Sequence, residues 1–362
     1  MKSPLKTFAV RMVAGINIAT ILFMLFVGYS DRISPEIYPR IANVGLVFPA
    51  FILANFLFLV FWIIFKWRWS VIPFAGFLLC FSPIRTYFPV NLNRSVPDDA
   101  IKFISYNVYG FGAGDTLMIE DNPILKYLAE QDADIVCLQE AGCSKKELTA
   151  FRDSLLGGIY QYSDTVWQTR SGEAFAIYTK YPILKKDKIN FNSEENGCCS
   201  LFWLKIGSDT VIVMSNHLRG TGLTNTERSD FKNIVESRAV GDSTERKTLN
   251  IITRLDSSSM KRAPQAERLA QFVREHKGKS ILLCGDFNDH PISYCYRTIA
   301  NELIDCFVES GTGAGISYHK NALLVRIDHL FCTPDFIPYQ CHIDKSVTLS
   351  DHYPLVCWLK KR

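Results

Sequence analysis

The 362-residue sequence contains no Cys-x-x-Cys pair and no Cys/His spacing of the kind that holds zinc, which sets aside a zinc-binding module. It also lacks a long basic tract. Its 40 Lys and Arg are scattered among 36 Asp and Glu for a formal charge of +4, so charge does not nominate a nucleic-acid footprint. Internal repeats and low-complexity segments are missing too, which excludes a solenoid. Eleven cysteines are present, but most, such as Cys137, Cys284, Cys332 and Cys357, lie in apolar runs where a thiol acts as a small buried hydrophobe. The adjacent pair Cys198 and Cys199 is poor geometry for an ordinary disulfide, and no disulfide framework is expected.

Apolar residues make up 48% of the chain, and an outsized share of them falls in the first ninety positions. Met12 to Tyr29 carries no charge and Ile41 to Phe65 is a longer uncharged run, so each can cross a hydrocarbon core of roughly 30 Å as a helix. A third run, Val71 to Ile84, is shorter and is followed by Arg85, Tyr87 and Phe88, residues suited to an interface. Residues 1–90 therefore read as a membrane anchor with two to three transmembrane helices at about 12–29, 41–65 and 71–88. A cleaved signal peptide is the competing reading, since Lys2, Lys6 and Arg11 precede the first run. Against it, no small-x-small site follows that run, and a second apolar segment arrives soon after.

Lys2, Lys6 and Arg11 before the first span and Lys66 and Arg68 after the second both read as cytoplasmic. Three spans then place the rest of the chain outside the cytoplasm, whereas two spans keep it inside. The apolar setting of the cysteines leans toward a reducing compartment, against the extracytoplasmic placement that three spans give.

Residues 91–99 are polar and form a linker, and the remainder, 100–362, suits one large α/β domain. Strands are predicted at 101–107, 134–139, 175–179, 201–205, 210–216, 280–284, 327–332 and 355–359. Helices are predicted at 123–131, 144–156, 226–254 and 265–275. The segment Arg219 to Arg262 reads as a solvated helical insertion that could shape substrate access.

Polar, metal-capable residues recur at the ends of these apolar strands: Tyr106-Asn107, Leu138-Gln139-Glu140, Asn216-His217-Leu218, Gly285-Asp286-Phe287-Asn288, Arg326-Ile327-Asp328 and Ser350-Asp351-His352. One carboxylate after a strand is usually a turn or helix cap. Six such ends supplying three Asp, one Glu, three Asn and two His match the needs of metal-assisted phosphoryl transfer.

In this order the motifs resemble those of the endonuclease/exonuclease/phosphatase family, over roughly residues 100 to 360. The resemblance implies a four-layer α/β/β/α sandwich of the DNase I-like kind, preceded here by the N-terminal transmembrane helices. It implies a Mg²⁺-dependent hydrolase of phosphate esters, with Mn²⁺ as a substitute. Glu140, Asn107 and Asp351 would serve the metal; His352, Asp286, His217, Asp328 and Asn288 would be catalytic, with His352 against the phosphate and Asp328 orienting it. The substrate would be a nucleic acid or a phospholipid headgroup, the bilayer a partner through the helices, and no protein partner is expected. The rival reading is a non-catalytic membrane receptor or scaffold retaining the fold. The chain departs from the family pattern at Ser215, at His329 and at Phe175, and His290 and His319 read as loop histidines outside the chemistry.

Overall fold

The computed structural model describes residues 4–112, 119–142, 146–168, 173–191, 197–236, 242–321 and 323–362. Helices α1 (Pro4–Gly28), α2 (Phe48–Lys66), α3 (Val71–Leu79) and α4 (Phe81–Tyr87) come first. The stretches Pro4–Arg32 and Pro39–Leu79 are long and apolar enough to cross a membrane. Three polar side chains are buried among these helices. Asn17 donates to Asn55 at 3.2 Å, the Trp62 indole donates to Asn17 at 3.1 Å, and Asn55 donates to the Pro73 carbonyl at 2.9 Å, so α1, α2 and α3 are joined by one chain of hydrogen bonds. The break between α3 and α4 has a local cause: Pro83 has no N–H to offer Leu79, and the Leu79 carbonyl instead accepts the Tyr29 hydroxyl at 2.7 Å.

The rest of the chain alternates strands and helices. The strands are β1 (Ile101–Asn107), β2 (Ile135–Gln139), β3 (Tyr162–Trp167), β4 (Ala174–Thr179), β5 (Ile183–Asn190) and β6 (Cys198–Ile206). They continue as β7 (Asp209–His217), β8 (Ser280–Asp286), β9 (Ile304–Asp305), β10 (Asp328–Cys332), β11 (Phe336–Ile343) and β12 (Leu355–Lys361). The helices are α5 (Tyr109–Gly112, a single turn), α6 (Pro123–Glu130), α7 (Lys146–Gly157), α8 (Asn225–Val235), α9 (Asp242–Glu275), α10 (Tyr294–Ala300) and α11 (Cys306–Ser310). The strands form two six-stranded sheets, ordered β11-β12-β1-β2-β4-β3 and β5-β6-β7-β8-β10-β9.

Alternation along β1 shows how the layers arise. Phe103 points into the space between the sheets with Cys137, Phe202, Val213 and Leu282, while Ile104 and Tyr106 point outward under α6 and α7. On the far side, Ala266, Leu269, Phe272 and Val273 of α9, at helical spacing, cover the second sheet together with Cys295 and Ile299 of α10. Central strands are thus buried on both faces, which is why they read as nearly continuous apolar runs. Gln139 ties the sheets together beneath one end of the sandwich: its amide donates to Ser215 at 2.8 Å and to Ser105 at 3.3 Å. Ser215, a departure from the family pattern, is an acceptor in that tie.

The helices predicted over 226–254 and 265–275 differ from what is observed. The second is the end of α9, which runs through Pro264, a residue with no N–H to donate. Residues 237–241 of the first, and the start of the helix predicted from Ser144, lie outside the described residues. The ten described cysteines are all buried free thiols.

One end of the helix bundle is packed onto this domain. Met24, Val27, Phe48, Cys80 and Tyr87 form a cluster with Ile292, Arg85 pairs with Glu309 at 2.9 Å, and Arg297 lies 3.4 Å from Asp31. The segment between α1 and α2 adds Arg40 to Asp256 at 3.2 Å and Asn43 to Asp256 at 3.3 Å.

Candidate active site

The site lies where the paired strands of both sheets end. β1 runs parallel to β2, which brings Asn107 beside Gln139, and β7 runs parallel to β8, which brings His217 opposite Asp286. β10 is antiparallel to β8, so Asp328 at the beginning of one faces Asp286 at the end of the other. Glycine is required at 285: its φ is +130° and a Cβ there would lie 1.9 Å from the Asn216 carbonyl oxygen. Glu140 and Asn288 stand in the left-handed region at φ +50° and +49°, a conformation costing such residues of order 1–3 kcal/mol each. Glu140 is held there by its flanks, its carbonyl accepting from the Gly110 N–H at 2.9 Å while the Ala141 N–H donates to Ala174 at 2.8 Å.

Two overlapping groups of ligand-capable atoms result, Glu140 with His217 and Asp286, and Asp286 with Asp328 and His352, the atoms of each group lying within 4.8 Å of one another. The Asn107 amide donates to both carboxylates, to Glu140 at 3.0 Å and Asp286 at 3.1 Å, and its own oxygen accepts the Tyr109 N–H. Asp286 also accepts the Asn288 N–H at 2.7 Å, and the Asn288 amide donates to the Leu218 carbonyl at 3.1 Å. Asp351 belongs to neither group; it lines the same cavity, with one carboxylate oxygen buried and unpartnered.

Each histidine has a carboxylate of its own. His352 Nδ1 lies 2.8 Å from Asp328 and its Nε2 3.6 Å from Asp286. Burial works against the charged ring, but Asp328, Asp286 and Asp351 outweigh it and hold the His352 pKa at about 10. His217 bonds Glu173 through Nδ1, and its Nε2 lies 3.5 Å from Asp286 and 3.8 Å from Glu140. Burial again opposes the charge, and Glu173, Asp286 and Glu140 hold the ring well above its ordinary value. Burial raises the Asp286 carboxyl to about 6, with His352 pulling it down and Asp328 pushing it up.

Sequence reasoning did not single out Glu173, Tyr318 or Arg228. Tyr318 stands edge-on to His352 at 5.1 Å between ring centres, and its hydroxyl accepts from Arg228 at 3.2 Å. His290 is buried rather than exposed on its loop, with Nε2 unpartnered, and His319 stacks on Tyr353 at 3.9 Å. His329 sits in an aromatic cage of Phe287, Tyr296 and Phe331, which accounts for its replacing an apolar residue, and Phe175 is fully buried in β4.

Residues 104–352 match the Endonuclease/Exonuclease/phosphatase family. The chain belongs to this family. Its members are phosphoester hydrolases that typically use divalent metals, and the site above falls inside the matched region. Residues 10–87 match a domain of unknown function, DUF8431. No curated protein matches the chain. Among solved structures, the family domain is similar to D. rerio TDP2 complexed with single strand DNA product, at 16% identity and a TM-score of 0.53 over 73% of this chain and 100% of that one. The human Nocturnin catalytic domain with bound sulfate gives 15% and 0.52 over 75% and 96%. An endonuclease/exonuclease/phosphatase from Bacteroides vulgatus gives 16% and 0.51 over 73% and 100%. These likenesses establish the two-sheet α/β fold.

Proposed function

We propose that the protein is a divalent-metal-dependent hydrolase of phosphate esters, diesters foremost, held in a membrane by its N-terminal helices. The observation that carries this reading is the convergence of Glu140, His217, Asp286, Asp328 and His352 into two groups that share Asp286.

The donor set fits Mg²⁺, or Mn²⁺ in its place. Glu140 and Asp286 are hard oxygen donors held side by side with no thiol among them, and Asp286 is a carboxylate whose charge is disfavoured by burial. Glu140 would hold the ion, with Asn107 fixing the two carboxylates through its amide and Asp351 adding negative charge across the cavity. Such an ion supplies charge neutralisation at the phosphate. Asp286, next to where a water would sit, orients it and takes its proton as the water oxygen bonds to phosphorus. The charged His352 ring, fixed by Asp328, faces the negative charge that develops on the phosphoryl oxygens. The ester P–O bond breaks, and His217, kept protonated by Glu173, is placed to give its proton to the departing oxygen. Asn288 retains an amide hydrogen for a phosphoryl oxygen beside the one spent on Leu218.

In the membrane, α1, α2 and a third, broken span made of α3 and α4 would cross in alternating directions, leaving the catalytic domain on the side away from Lys6 and Arg11. The test is hydrolysis of bis-p-nitrophenyl phosphate by the detergent-purified full chain with Mg²⁺, Mn²⁺ or EDTA. Turnover that needs the ion and disappears in Asp286→Asn is expected; full turnover in EDTA would sink the reading.

A further inference from the structure

The acid and histidine cluster occupies only one wall of its cavity. The space measures about 590 Å³, and its other wall comes from parts of the chain that the chemistry does not use. That wall carries Leu46 from the connection between α1 and α2, Leu223, Phe231 and Leu255 from the 219–262 segment, and Leu323 and Val325. All but Val325 are only partly buried, so they present apolar surface to the cavity instead of spending it on the core.

The placement of Leu46 is tightly specified. Gly45 packs so closely on the turn after Asn288 that a Cβ would meet His290 at 2.3 Å and the Ile292 carbonyl at 2.5 Å. Asn43 accepts from Ser259 at 3.2 Å and donates to Asp256, which pins the connection to α9. Leu46 then packs on Tyr318, Val325 and Ile327, and Tyr318 is the ring against His352. The same connection exposes Ile37, Tyr38 and Val47 at 69%, 59% and 50%, so the segment that joins the two apolar helices carries apolar surface of its own.

We infer that the substrate is a phosphate ester of a membrane lipid, its phosphate at the Glu140, Asp286 and His352 end and its hydrocarbon along the wall that begins at Leu46. The inference rests on the hydrolase reading above and adds the substrate class. A half-exposed apolar wall facing a charged cluster suits a molecule with one end of each kind, and a small water-soluble ester would leave that wall wet. Because the wall includes the anchor's own connecting segment, the lipid reaches it along the surface in which the helices stand.

The test compares two chromogenic diesters that differ only in chain length, p-nitrophenyl ethyl phosphate and p-nitrophenyl hexadecyl phosphate. The full chain is used in phosphatidylcholine nanodiscs with Mg²⁺ or Mn²⁺. Withdrawing only two methylenes from water is worth about tenfold, so kcat/KM for the hexadecyl ester should exceed that for the ethyl ester by about tenfold or more. Leu46→Asn and Phe231→Ser, on different segments, should each shrink that ratio toward unity. Equal turnover of the two esters overturns the inference while the hydrolase reading stands. A high ratio that neither variant moves also overturns it, because partition into the bilayer then explains the preference. Silence on both esters with either ion removes the hydrolase reading, and the inference with it.

Discussion

The two walls of the cavity are made in opposite ways. One is assembled from strand ends whose neighbours fix them by backbone register, so that Asp286, Asp328 and His217 meet with little freedom. The other is assembled from a helix connection, an inserted pair of helices and a loop, joined by a few side-chain contacts such as Asn43 with Asp256 and Ser259. The first wall is a consequence of the sandwich and would exist without the N-terminal helices. The second is completed by the docked helices, whose connection adds Leu46 to the domain's own Leu223, Phe231, Leu255, Leu323 and Val325. On the proposed reading, chemistry and selectivity belong to different parts of the molecule.

Four changes sharpen or break that division. The largest effect is expected on the strand-end wall, where Glu140→Gln or chelation by EDTA should lower turnover of both short and long esters by about a thousandfold. An equal chain-length ratio before and after keeps the two walls separate; a changed ratio joins them. Asp328→Asn leaves His352 without the carboxylate that charges and orients it, and a loss of about a hundredfold or more in kcat is expected with little change in KM. Glu173→Gln should cost about 10- to 100-fold, chiefly for esters with poor leaving groups that need a proton. Comparing p-nitrophenyl with alkyl leaving groups measures this, and an equal loss on both would remove His217 from that step.

The last expected effect concerns stability and leaves turnover aside. Burial lowers the His329 pKa to about 4, with Asp305 opposing, against an ordinary value of 6.5 in an unfolded chain. Below pH 6.5 the unfolded chain takes up a proton that the folded one refuses, so stability is full above that pH and falls as the pH drops toward 4. The loss amounts to about 3 kcal/mol at the acid end. His329→Phe keeps the ring stack and removes the proton site, so the gap in melting temperature between pH 7.5 and pH 4.5 should narrow. An unchanged gap would place the acid sensitivity elsewhere.

The legibility of the fold follows the position of each strand in its sheet. The eight strands at interior positions were readable because both of their faces are apolar. The four that were not, β3, β5, β9 and β11, are the four sheet edges. β5 reads Ile-Leu-Lys-Lys-Asp-Lys-Ile-Asn, β9 has two residues, and β11 contains Pro338, all of them devices by which an edge avoids further pairing and also hides its own pattern. The site was legible for the same reason the interior strands were, because its residues flank them. Glu173 escaped because it stands alone between Gly172 and Ala174 with no second polar group to mark it, ahead of β4, which runs antiparallel to β2 and so begins where β2 finishes. The outer wall carried no signal of that kind: Leu46, Phe231 and Leu323 are unremarkable apolar residues far apart in sequence, collected by the fold of the domain and, for Leu46, by the docking of the helices.

The buried amides of Asn17 and Asn55 have a consequence that reaches beyond the helices they join. Apolar helices held by dispersion alone can rotate against one another at small cost, but an amide turned away from its partner is left unsatisfied. The hydrogen-bonded chain through Trp62 and the Pro73 carbonyl thus sets the rotational phase of the bundle, as a key sets the phase of a shaft. Asn17 stands eleven residues before the end of α1, about 16 Å along its axis. At the far end that key complements the contacts of Asn43 and Gly45, because it fixes how the two helices that carry the Gly28–Phe48 connection are turned toward each other. A scan of the bundle for inactivating substitutions should therefore find Asn17 and Asn55 sensitive although neither lines the cavity.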